Sequence, residues 1–440
     1  MKTGADFPTL ARAVAQLRAG EVTSVALTES CLARIRERDR ELNSFITVTS
    51  ESALEQARQA DRELRSGFDR GPLHGIPIAL KDLIDVAGVK TTAASAQLAD
   101  NVVASDSPVT RRLRDAGAVL LGKLNLHEFA YGGSGVISAF GAVKNPANPR
   151  YITGGSSSGS AAAVAAGFCF AAIGTDTAGS IRLPAACCGV VGFKPTYGAV
   201  STEGVVELSR SLDHVGPLAR NVEDARLVWE AIRDTAGGEH ANESGARIGV
   251  MRRFFFDDLD SEVSDRIDAA IARIAKHFKV VENVDFAVDE DRTVQMRESW
   301  DYHQRWVRES PEKYDPQTLQ RIRRGADVTD EQFRIKLAEL RATRARGAAM
   351  FEGAGIDVLV TPTAPIPAPS FDEVLADPKT LRAKELVLLR NTRPFNVWGT
   401  PAISVPIGTT AAGLPMGMQF AAAPGQDALL LAFAAEFEKL

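Results

Sequence analysis

The sequence predicts an α/β protein, and three observations lead there. From about residue 70 to 225, short apolar runs alternate with helical stretches, the rhythm of a largely buried sheet crossed by helices. Near the C-terminus, Val358-Leu359-Val360, Ala402-Ile403-Ser404-Val405 and Met416-Gly417-Met418-Gln419-Phe420 read as strands returning to that sheet. The chain has 440 residues, 45% hydrophobic and 24% charged, an ordinary globular balance with ample length for one wide sheet.

Taken in order, residues 8–66 read as helices. Leu10, Val14 and Leu17, then Val25, Leu27, Cys31, Leu32 and Ile35, recur at helical spacing. Thr23 and Ser24 supply an N-cap, and Glu29 adds negative charge early in that helix. Ile76–Leu80 and Ala118–Leu121 are strand candidates. Between them, Ser107–Ala116 is a helix with Pro108 at its first position. Ala161–Ile173 is an Ala-rich apolar run, shorter than the roughly 20 residues of a membrane span, and is expected to be one buried helix. Residues 226–245 are polar, with a surface turn at Gly237-Gly238-Glu239. Ala246–Met251 is a strand candidate. Residues 260–350 read as charged helices, among them Ser264–His277 and Asp330–Ala349. The expected organisation is a helical cover at 1–66, a core at 67–225, a helical insertion on the substrate side at 226–350, and strands with a helix at 351–440, all within one large domain.

Composition excludes several classes. A net charge of −5 offers no basic field to nucleic acid. The cysteines Cys31, Cys169, Cys187 and Cys188 have neither disulfide-framework nor zinc spacing and are expected to be buried, reduced thiols. His127-Glu128 lacks metal-site spacing, and no HExxH occurs, so no metal is expected. No repeat, low-complexity tract, membrane span or leader is evident, and the expectation is a cytoplasmic protein.

The chemistry concentrates in three segments. Lys81 ends the apolar run Gly75-Ile76-Pro77-Ile78-Ala79-Leu80-Lys81-Asp82; a lysine there must be neutral or paired. Downstream lie Gly154-Gly155-Ser156-Ser157-Ser158-Gly159-Ser160 and Gly174-Thr175-Asp176-Thr177-Ala178-Gly179-Ser180. A buried lysine within reach of serines can activate a hydroxyl without histidine. The first serine-rich segment opens a helix, where backbone N–H groups favour negative charge. It lacks the lysine of a phosphate loop. Gly155-Ser156-Ser157-Ser158-Gly159 also fits the GxSxG elbow of an esterase with Ser157 as nucleophile, but the prolines before it oppose the strand that elbow requires. By itself, the second segment reads equally as a tight turn.

Together these segments resemble the amidase signature family. The likeness continues through Ile181-Arg182-Leu183-Pro184-Ala185, Gly189-Val190-Val191-Gly192-Phe193-Lys194-Pro195-Thr196 and Ser211-Leu212-Asp213-His214-Val215-Gly216-Pro217, with weaker echoes at Pro362-Thr363-Ala364-Pro365 and Gly399-Thr400-Pro401-Ala402. The resemblance implies a mixed central sheet of many strands with helices on both faces. It implies Ser180 as nucleophile, Ser156 after a cis peptide bond as bridge, and Lys81 as base. The N–H groups of Thr177, Ala178, Gly179 and Ser180 would form the oxyanion hole. Many members carry Gly where Ala178 stands, and some where Ser158 stands. Tyr131-Gly132-Gly133-Ser134 matches a stretch lining the acyl pocket, where Tyr131 either stacks on substrate or belongs to the core. Arg182 either binds a substrate carboxylate or pairs with Asp176 or Asp213. Asp213, His214 and Cys187-Cys188 are expected to pack rather than react.

The implied activity is cofactor-free cleavage of amides, aryl amides or carbamates (urethanes), with small-molecule substrates and a homodimer as the implied assembly. The helices of 286–350 and the 370–395 loop would set acyl and leaving-group shape. A neutral lysine base implies a rate that rises into the alkaline range. The same resemblance extends to the amidase subunit of a glutamine-dependent tRNA amidotransferase. A catalytically dead binding protein is the rival from another class.

Overall fold

The computed structural model describes residues 7–234 and 245–440. The Met1–Asp6 stretch and the turn expected at Gly237–Glu239 lie outside the described residues. The strands are β1 (Phe45–Val48), β2 (Pro77–Lys81), β3 (Val119–Leu124), β4 (Ala171–Thr175), β5 (Val191–Lys194) and β6 (Val215–Ala219). They continue with β7 (Arg247–Val250), β8 (Lys279–Val281), β9 (Val358–Pro362), β10 (Ala402–Thr409) and β11 (Pro415–Ala422). All join one 11-stranded sheet in the order β1-β3-β2-β4-β6-β5-β10-β11-β9-β7-β8.

The sheet is mixed, as expected. β2 runs parallel to β3 and β4, and β7 runs parallel to β8 and β9. Antiparallel ladders join β4 to β6, β5 to β10, and β11 to both β10 and β9. Successive side chains of a strand point to opposite faces. Every residue of β2, β3, β4, β9 and β11 is buried, so both faces are covered. That explains the unbroken apolar runs read from the sequence.

Helix starts follow their caps. Thr23 accepts from Ala26 N–H to open Ser24–Leu42, and Ser107 accepts from Thr110 N–H ahead of Pro108. Four expectations need correction. The 370–395 stretch is not a loop: it holds the helices Phe371–Leu375 and Pro378–Leu388. The 8–66 segment is not wholly helical: Phe45-Ile46-Thr47-Val48, β-branched and aromatic, forms edge strand β1 against β3. The run 161–173 is not one helix. It divides into the end of the helix Ser158–Ala165 and the start of β4, with Gly167 at φ +70° turning the chain between them. Inside 260–350, Lys279–Val281 forms the short strand β8. All four cysteines are free and buried. Among the described residues no helix is long and apolar enough to cross a membrane.

Candidate active site

Parallel pairing brings the key lysine to its partners. β2 and β4 are neighbours, with Leu80 opposite Ile173, so Lys81 and Thr175 emerge at the same end of the sheet. Lys81 is fully buried, and its Nζ donates to Ser156 Oγ at 2.8 Å and to Thr175 Oγ1 at 2.7 Å. Burial brings the Lys81 ammonium down to about 7, while the charges of Asp213 and Asp176 work against that shift. Near neutral pH the amine therefore exists in both forms. With Thr175 holding one N–H, the Ser156 hydroxyl can turn its proton toward the lone pair of the neutral amine.

Ser156 is held from three sides. The Gly155–Ser156 peptide bond is cis. The Ser156 carbonyl accepts from His127 N–H at 3.1 Å. Gly155 lies so close to the neighbouring loop that a Cβ there would sit 2.8 Å from the Gly135 nitrogen. The helix Ser158–Ala165 starts immediately afterwards and directs its N-terminus at this corner.

The loop 176–181 is organised by one buried carboxylate. Asp176 accepts from the N–H of Gly179 at 2.8 Å and of Ile181 at 3.1 Å, and it pairs with Arg182 at 2.9 Å. Burial alone would raise this carboxyl. The Arg182 guanidinium beside it prevails and holds it well below the usual carboxylate range. Arg182 spends its remaining donors on the Thr392 carbonyl (2.8 Å), Gln419 (2.6 Å) and Asn396 (2.7 Å). Thr392 Oγ1 in turn donates to the Ala178 carbonyl at 2.7 Å. Gly179 has φ +131°, and a Cβ there would lie 2.0 Å from Thr392 Oγ1, so the position needs glycine on both counts.

Ser180 is buried, 4% exposed, and its carbonyl accepts from Ser157 N–H at 3.1 Å. Among the described residues no hydrogen bond joins the hydroxyls of Ser156 and Ser180. Of the four N–H groups expected to face an oxyanion, that of Gly179 is taken by Asp176; Thr177, Ala178 and Ser180 have no backbone acceptor among the described residues.

The remaining candidates sort clearly. Arg182 is fully buried in its ion pair with Asp176, which leaves its guanidinium no donor for a substrate carboxylate. Asp213 accepts from Thr177 Oγ1 at 2.5 Å and from the N–H groups of Leu208 and Ser209, and burial raises its carboxyl to about 7. Burial keeps His214 and His127 neutral by pulling both well below their ordinary value. Tyr131 belongs to the same buried hydrophobic cluster as Phe129 and Tyr314, and also lines a small cavity with several arginines. Gly132 and Gly133 have no room for a side chain against His127 and Leu389. The Ser157 hydroxyl donates to the Thr175 carbonyl at 3.1 Å, and no histidine contacts it among the described residues, so the esterase elbow finds no base. Burial pushes the Cys187 thiol up to about 12.

Sequence reasoning did not single out Thr175, Thr392, Asn396 or Gln419 as partners of these groups. Thr175 stood inside a quoted motif. Gln419 stood inside a run read as a strand, which gave its side chain no role, and Thr392 and Asn396 sit in text with no local pattern.

The chain matches the family model described as Amidase over residues 26–431. A glutamyl-tRNA(Gln) amidotransferase subunit of Lachnospira eligens is 36% identical to it, over 92% of this chain and 92% of the relative. Among solved structures, the crystal structure of an amidase superposes with a TM-score of 0.88 at 34% identity, covering 98% of this chain and 99% of the other. The structure of 6-aminohexanoate cyclic dimer hydrolase complexed with substrate superposes with a TM-score of 0.88 at 29% identity, covering 98% and 96%.

Proposed function

Because the chain belongs to the amidase family and is an enzyme acting on C–N bonds, we propose that it hydrolyses small-molecule amides, among them aryl amides and carbamates, through an acyl-enzyme on Ser180. The observation that carries this reading is the fully buried Lys81, brought to about 7 and bonded to Ser156. A lysine in that state is poised to take a proton near neutral pH.

The proposed steps are these, with the Lys81–Ser156 hydrogen bond as their support. Ser180 Oγ attacks the carbonyl carbon while its proton passes to Ser156, whose own proton moves to Lys81 Nζ. The carbonyl oxygen becomes negative beside the N–H groups of Thr177, Ala178 and Ser180, which need no reorganisation to receive it. Lys81 returns the proton through Ser156 to the leaving nitrogen, and the C–N bond breaks. Water then attacks the Ser180 ester by the same relay, releasing the carboxylic acid and restoring the serine. Arg182 and Asp176 act as positioning residues, because they fix the loop that bears the donors. No step needs a cofactor.

A second reading has specific support. The amidotransferase relative from Lachnospira eligens matches over nearly its whole length. In that role the same site would release ammonia from an amide for a reaction completed by partner subunits. Release of aromatic amine from aryl amides and carbamates by the purified chain, compared with Ser180→Ala, tests both. Turnover by the lone wild-type chain and none by the variant supports the self-sufficient hydrolase. Turnover that appears only with partner subunits supports the amidotransferase reading. Equal turnover by both proteins removes Ser180 as nucleophile.

A further inference from the structure

A second constellation adjoins the Tyr131-Gly132-Gly133 stretch, with Tyr131 in its wall. Arg292, Arg321, Arg324 and Arg382 line a cavity of about 170 Å³ together with Tyr131 and Gln295. One carboxylate, Glu385, pairs with Arg321 at 2.9 Å and with Arg382 at 3.5 Å. Arg292 makes no ion pair and no side-chain hydrogen bond among the described residues. It stands at the N-cap of the helix Thr293–Glu309, where the backbone already favours negative charge. Burial lowers the Arg292 guanidinium to about 9, and the like charges of Arg393 and Arg382 add to that shift.

Two further groups point the same way. Gln295 is 5% exposed, and its carboxamide oxygen has no hydrogen-bond partner. Carboxamide O and N are interchangeable by a flip, so this group can offer donors to the cavity. Arg382 Nε is likewise buried without a partner. Buried polar groups are normally satisfied, and planar guanidinium forks match a carboxylate in two-point hydrogen bonds.

The cavity is tied to the reacting end of the site. The helix Pro378–Leu388 carries Arg382 and Leu386, both in the cavity wall. Its C-cap Leu389 reaches the other way: a Cβ on Gly133 would lie 2.9 Å from its side chain, and one on Gly179 would lie 3.1 Å from it. Leu386 and Leu389 are separated by ~4.5 Å along a helix axis. Arg321 also donates to the Tyr131 carbonyl at 2.5 Å, which fixes the Tyr131-Gly132-Gly133 wall between the two regions.

We propose that this cavity binds a carboxylate borne by the substrate, so that the preferred amides carry a free carboxylate a few bonds from the scissile carbonyl. The proposal rests on the acyl-enzyme reading for its link to turnover, but binding tests it separately. Calorimetry with glutarate and the Ser180→Ala protein at low salt should show one site. Adding Arg292→Gln should weaken it about tenfold or more, a shift of ~1.4 kcal/mol. Arg324→Gln, at an exposed position, should weaken it too, with melting curves checking that both variants are folded. Inorganic phosphate should bind less well than glutarate. Absence of glutarate binding at about 10 mM, an affinity unmoved in both variants, or tighter binding of phosphate overturns the carboxylate site. In turnover, kcat/KM for 4-carbamoylbutanoate over that for pentanamide should fall about tenfold or more in Arg292→Gln. Glutarate binding without turnover of any amide would count against the hydrolase reading and leave the cavity assignment standing. Turnover of pentanamide without glutarate binding would do the reverse.

Discussion

Lys81 Nζ and Thr175 Oγ1 lie 2.7 Å apart at the ends of adjacent parallel strands, so the candidate base is anchored by the same strand that leads into the oxyanion loop. The position of the amine is set by sheet register rather than by a flexible side chain, and its protonation is set by burial.

The first prediction concerns rate. With Lys81 near 7, its neutral fraction grows as pH rises through that value. Under acylation-limited conditions kcat/KM should climb through about pH 7 and level off above about pH 8. A profile flat from about pH 6 to 10 would exclude the neutral amine as base.

The second concerns stability. The unfolded lysine titrates near 10.5 and the folded one near 7, so between those values the unfolded chain binds more protons. The cost of burying the charged amine is therefore fully present below about pH 7, and wild-type stability gains as pH rises from there toward about 10. The inactive Lys81→Met protein lacks this cost. Its melting temperature, minus that of wild type, should be largest near about pH 6 and shrink toward about pH 9. A constant difference would mean that Lys81 titrates normally in the fold.

The third concerns Gly179. Gly179→Ala places a methyl 2.0 Å from Thr392 Oγ1 at φ +131°. We expect kcat to fall by roughly two orders of magnitude, the scale of a lost oxyanion donor. Thr392→Ala in the same chain should return part of that loss by making space, so the two effects should not add in a double-mutant cycle. Full additivity would refute the clamp.

The fourth concerns the buried pair. Asp176→Asn leaves Arg182 charged and fully buried. Urea unfolding should show a loss of about 3–5 kcal/mol. A loss under about 1 kcal/mol would show that Asn396 and Gln419 suffice to hold the guanidinium.

Much of this arrangement was legible in the sequence. A lysine ending an apolar run, two Gly-Ser segments and the helix caps are local signals, and Lys81 and Ser156 do meet. The run 161–173 misled because an Ala-rich helix and a buried strand are both uniformly apolar; only Gly167 marked the change. Strand β1 was lost because its four residues follow a long helix. The Arg182 alternatives depended on Asp176, Asn396 and Gln419, which converge only after the sheet is built. The arginine cavity draws on three separate C-terminal helices, whose charges look like solvated faces in one dimension.

Strand order also has a consequence for biosynthesis. β10 and β11 are made after the other nine described strands, yet they occupy the middle of the sheet, between β5 and β9. A nascent chain that already contains Lys81, Ser156 and Ser180 must hold two half-sheets with open inner edges until the final strands arrive to join them. A chain ended after residue 401 should accordingly be inactive and scatter light on release, despite an intact set of reacting groups. The candidate site thus depends on strands that are made after all three of its candidate reacting groups.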